Sequence, residues 1–177
     1  MAKKPPEKRL KNILRKYLSS GTIIGPEIKD PKIDFGFRFS FPKGKDKQGK
    51  PMGRPFILVK EKKWDYFEIS SPTTIAPNHV KIMDSMKENK RKQFFSDLIK
   101  VFNLKGHLYD IDIPNKRFAV IDVYFLEDNK DISKNEFYRI MRNIFGTIVY
   151  SVTLIQEYCA GPGDISPSRK LDPSLYV

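Results

Sequence analysis

The chain has little of what secreted scaffolds, metalloenzymes and membrane proteins are built from. Its one cysteine, Cys159, excludes an internal disulfide and a cysteine-based zinc cluster. On an apolar helix face that thiol reads as buried and inert. There are two histidines, His79 and His107, near the edges of predicted elements. Neither has a further ligand at helical spacing, whereas a metal site needs three or four. No glycine-rich run follows a strand into a helix, and "GKDKQGKPMG" lacks the Gly-Lys-Ser/Thr of a phosphate loop. No apolar run is long enough for a membrane-spanning helix. The opening "MAKKPPEKRLKN" lacks the apolar centre of a secretory signal. Asp110, Asp112 and Asp122 could gather around a divalent cation on adjacent strands, although such alternation also fits a solvent face. An enzyme is therefore the least supported class. The expectation is a cytosolic, cofactor-free protein.

What is present is a core and a charge. Of 177 residues, 40% are hydrophobic and 13 are Phe, enough to fold one globular domain. The net charge is +12, and its location matters more than its size. Residues 1–63 hold 18 of the 33 basic side chains and 6 of the 21 acidic ones, whereas residues 64–177 hold 15 of each. The entire excess lies in the first third. Such asymmetry suits an anionic partner such as nucleic acid, and it also serves solubility.

In "PPEKRLKNILRKYLSSG", Leu10, Ile13, Leu14 and Tyr17 share one helical face, and lysines and arginines cover the rest. "GPEIKDP" reads as a loop by its prolines. "IDFGFRFSF" puts Ile33, Phe35, Phe37, Phe39 and Phe41 at every second position, the period of a strand with one buried face. Such a row also resembles a base-stacking platform, but five apolar side chains in line suit a core. "PKGKDKQGKPMGRP" (42–55) is too polar and too rich in Gly and Pro for a regular element, so it forms a hairpin tip. Strands at about 56–61 and 64–70 follow, and "SPTTIAPN" then breaks the sheet. Residues about 78–103 read as a helix with a break near 88–92. A hairpin follows, with strands over about 109–113 and 117–126; the second is apolar on both faces apart from Asp122, as in a strand covered on both sides. Ser133 and Glu136 form a capping box that opens a helix reaching about Tyr158. The β-branched run over 146–158 also fits a strand. "GPGDISPSRKLDPSLYV" reads as a flexible tail over 161–177, after a single domain over 1–160.

The predicted order is helix, three-strand antiparallel meander, helix, β-hairpin and long C-terminal helix, an α+β class. That order, with "FGFRFSFP", "PFILVKEKKWDYFEISSPTTIAPNH" and "FYRIMRNIFGTIVYSVTLIQEY", resembles a family of small archaeal proteins of unknown function with a type III secretion chaperone-like fold. The resemblance implies no catalytic residues. It implies a protein-binding module that pairs as a homodimer; separately, the apolar surplus of 117–126 and 133–158, in the half of the chain without net charge, places the expected interface there. The alternative is a sequence-nonspecific nucleic-acid binder. Lys43, Lys45, Lys47, Lys50 and Arg54 would then clamp phosphates, with Lys11 and Arg15 added by the first helix.

Overall fold

The computed structural model describes residues 7–49, 52–112, 114–127 and 130–160. The expected tail at 161–177 lies outside them, as do Lys50 and Ile113. The elements in order are α1 (Glu7–Gly21), β1 (Ile23–Glu27), β2 (Ile33–Phe41), β3 (Arg54–Glu61), β4 (Tyr66–Thr74), α2 (Pro77–Ser85), α3 (Glu88–Lys105), β5 (Leu108–Asp112), β6 (Arg117–Phe125) and α4 (Lys134–Cys159).

The alternating phenylalanines set the layer. Phe35, Phe37, Phe39 and Phe41 are all buried, and Phe56 and Leu58 of β3, Phe67 and Ile69 of β4 and Phe118 and Val120 of β6 extend the buried face. Burying such side chains stabilises the fold by roughly 1.5–3 kcal/mol each. The strands form one antiparallel sheet in the order β1-β2-β3-β4-β6-β5. The late hairpin thus enters through β6 and leaves β5 at the edge. α1 packs over β1 and β2, α4 over β4 and β6, and α2 and α3 against α4. Leu14, Leu18, Phe94, Leu98, Phe102, Phe137 and Ile144 come from these helices into the same core.

Three boundaries differ from the sequence expectation. Residues 25–27, read as the start of a loop, belong instead to strand β1, despite Gly25 and Pro26. β1 is an edge strand, so a residue without an N–H leaves no inner ladder bond unmade. The sheet does not break at Ser71, since β4 continues through Pro72 to Thr74. Pairing with β3 ends at Ser70 while pairing with β6 runs on to Thr74, so Pro72 has a strand on one side only. The expected helix over 78–103 is two helices that separate at Met86 and Lys87, where the backbone turns extended. The last helix runs on to Cys159 as expected, and burial of Ile148, Val149, Leu154 and Ile155 outweighs the strand propensity of the β-branched run after residue 146. The cap of α4 is as expected: Glu136 N–H donates to Ser133 Oγ at 3.1 Å.

Candidate functional site

Two regions carry exposed chemistry, one on each side of the sheet. The first is the face opposite the helices. Strand alternation sends Ile57 and Val59, Tyr66, and Ile121, Val123 and Phe125 to this side. The register sets Tyr66 beside Phe125, Glu68 beside Val123 and Ser70 beside Ile121, with Leu108 next to Ile121. Phe125 is 61% exposed and Leu108 57%. Trp64 stacks on Tyr66 with ring centres 4.7 Å apart, and Tyr66 meets Phe125 at 5.4 Å. Near β2 the same face is covered by its own chain, where a side chain at Gly36 would meet Ile28 and Ile33. Over β3, β4 and β6 no described helix covers it.

Two charges stand within this apolar field. Glu68 is half-buried, and burial lifts its carboxyl above the ordinary range, opposed by a hydrogen bond from Ser70 and aided by the Glu61 charge. Arg38, exposed on β2 and paired in register with Ile57, makes no ion pair among the described residues. Glu68 likewise makes no ion pair among the described residues.

The second region is the tip and base of the β2–β3 hairpin. Lys43, Lys45 and Lys47 are exposed and make no ion pair among the described residues. The Lys43 N–H donates to Gly21 O at 3.0 Å, which fixes the base of the tip against the end of α1. The chain crosses itself closely there. A Cβ on Gly53 would lie 2.4 Å from Pro42 O, so only glycine fits. The predicted basic set is not gathered as one cluster. Lys11 is engaged by Glu27, while Arg15 is exposed further back along α1. Arg54 leaves the tip altogether and shares the inward alternation of Phe56 and Leu58.

Arg54 lines a groove of about 480 Å³ under the end of α4, with Thr73, Ile75, His79, Val152, Ile155 and Gln156 among its walls. Burial lowers the affinity of its guanidinium for its proton. No carboxylate lines the groove, and the Arg54 guanidinium makes no hydrogen bond or ion pair among the described residues. Sequence reading assigned Arg54 to the tip because five basic residues follow one another there; only strand register reveals its inward side.

The remaining candidates stay apart. Asp110 and Asp112 point to the outer face, whereas Asp122 points inward, so the three do not gather. Among the described residues no three potential ligands cluster to hold a metal ion. His107 is buried, not superficial as its position at an element edge suggested. Its ring nitrogens have no hydrogen-bond partner, and Nδ1 lies 3.6 Å from Asp122 Oδ2. Cys159 is half-buried, and burial pushes its thiol up. No described helix is long and apolar enough to cross a membrane.

These features define a small α+β protein with a six-stranded antiparallel sheet, helices on one face and an open apolar strip on the other. The chain belongs to the family described as "Uncharacterized conserved protein (DUF2299)", which matches residues 10–155. Its fold is similar to the crystal structure of an uncharacterized protein from Methanothermobacter thermautotrophicus, with a TM-score of 0.71 and 19% sequence identity over 85% of this chain and 99% of that one. No curated protein matches the chain. The similarity supports the α+β architecture and an archaeal relative; the chaperone-like relationship expected from the element order stays a proposal.

Proposed function

We propose that the chain is a cytosolic, non-enzymatic, chaperone-like binding protein that works as a homodimer, its copies meeting on the open face of the sheet. The carrying observation is the pairing of an apolar strip with two unmatched opposite charges, Arg38 and Glu68. Face-to-face packing about a two-fold axis over β3 brings Arg38 of one protomer onto the partner subunit's Glu68, and the symmetry repeats the contact. Each half-buried carboxylate then gains the partner it lacks. Phe125, Ile121 and Val123 leave water in the same step. The helix α4, expected to share the interface, spends its apolar residues inside its own core, with Tyr150 as the exposed exception.

Light scattering at micromolar concentration should give about twice the 20.6 kDa chain mass. Arg38→Glu and Glu68→Arg should each weaken the dimer by tenfold or more, and the double exchange should restore it. A monomer across that range, or a dimer indifferent to both exchanges, overturns the reading.

A second reading draws on the exposed, unpaired Lys43, Lys45 and Lys47. A tip with three exposed ammonium groups suits weak contact with nucleic-acid phosphates, blind to sequence. Its test is a salt titration, argued in the Discussion.

A further inference from the structure

We propose that the Arg54 groove is a binding site for a small organic carboxylate with an apolar body, seated with its carboxylate on the guanidinium. Four observations lead there. The cation is half-buried and unpaired, and an unpaired charge withdrawn from water is a cost that an anion removes. The walls hold no acid to compete. Gln156, His79 and Thr73 add polar atoms to the lining, and Ile75, Val152 and Ile155 add apolar ones. The volume of about 480 Å³ falls in the range of small-molecule sites.

Charge balance selects the head group. One guanidinium offers a single positive charge in a planar fork, which matches a monocarboxylate bidentately. A phosphate dianion would need more positive charge than Arg54 alone brings, and no second lysine or arginine is among the described walls. Among the described tip lysines, Lys43, Lys45 and Lys47 do not line the groove, so they do not supply the missing charge. Gly53 holds the chain tightly against Pro42 immediately before Arg54, which limits how far the guanidinium can drift. The groove is on the helix side of the sheet, so this proposal stands or falls apart from the dimer.

The test is a calorimetric titration of the full chain with straight-chain carboxylates from acetate to octanoate. Octanoate should bind once per chain. Affinity should rise about fourfold for each methylene that enters the groove. Arg54→Gln should weaken octanoate at least tenfold, with Arg54→Lys intermediate because it keeps the charge and loses the fork. If Arg54→Gln does not fold, Gln156→Trp provides the second variant. Gln156 is exposed at the mouth, and the indole should block octanoate without disturbing the core. Inorganic phosphate at equal concentration should not displace octanoate. Equal binding of acetate and octanoate, unchanged octanoate affinity in the folded variants, or displacement by phosphate would each overturn the assignment, the last in favour of a phosphate site.

Discussion

At the scale of single residues, the core row is the clearest case. Phe37 is 1% exposed in the middle of β2. A carboxylate there would be a buried charge without a partner, so Phe37→Asp should leave the chain unfolded at room temperature. The cost is several kcal/mol against a total of roughly 5–15 kcal/mol. A retained cooperative melt would mean that the row is exposed, as a stacking platform requires. Lys60 belongs to the same inward alternation, and a lysine there defied the pattern. Its Nζ donates to Asp34 Oδ2, Glu61 O and Trp64 O at 3.2, 2.8 and 2.6 Å, so all three protons are used. No periodicity reveals such a pairing, because it depends on where the β3–β4 turn places two carbonyls. Lys60→Met should cost about 3–5 kcal/mol by stranding Asp34, read as a fall in the urea midpoint. Tyr158 and Asp97 give a pH-dependent contact. Tyr158 Oη donates to Asp97 Oδ2 at 2.6 Å, tying α4 to α3. That bond pushes the phenol up to about 12, and hydrogen bonds from Tyr158, Gln93 and Lys100 hold the carboxyl at about 2. The phenol's contribution is full below its ordinary pKa of 10.0 and is lost as pH rises through about 12. The carboxylate's is present above 3.8 and is lost as pH falls towards about 2. Ultraviolet titration should show a tyrosine ionising about two units late, and Asp97→Asn should return it to the ordinary range.

At the scale of elements, what was legible followed from local physics. The two-residue period of β2 and the cap of α4 each need only a few neighbouring side chains, and both stand where the sequence put them. Ser133→Ala should cost about 1 kcal/mol, because the Glu136 N–H loses its acceptor at the first turn. A thermal melt lowered by a few degrees, with helix content intact, is the expected reading. β1 and the end of β4 were not legible, and for one shared reason. Gly25, Pro26 and Pro72 all read as breaks, yet each sits where a strand has a neighbour on one side only. Whether a strand is an edge is a property of the sheet, so proline there cannot be judged from its own segment. The separation of α2 from α3 lay just before the polar stretch that suggested it, because Met86 packs against the core and takes the turn there.

At the scale of the whole molecule, charge and surface divide the work. The basic excess was legible as a total, but its reach was not, because ion pairs form between segments remote in sequence. Arg9 meets Asp131 at 2.5 Å and Lys11 meets Glu27, so part of the positive charge on α1 is already answered within the fold. Arg54 is withdrawn to its groove. In the tip, Lys43, Lys45 and Lys47 make no ion pair among the described residues, and Arg15 stands exposed behind them. That smaller set should neutralise roughly 3–4 phosphates, for a log–log salt slope of about −3 on duplex DNA. Binding should therefore be weak, indifferent to sequence and largely lost near physiological ionic strength. Exchanging the four tip lysines for serine should flatten the slope towards zero while leaving the melting temperature and the dimer unchanged, since the tip contributes no side chain to the core. Tight, sequence-dependent binding at physiological salt would make the tip a recognition element and rank nucleic acid above the dimeric reading. No binding even in low salt would leave it a solvated turn and remove the nucleic-acid reading.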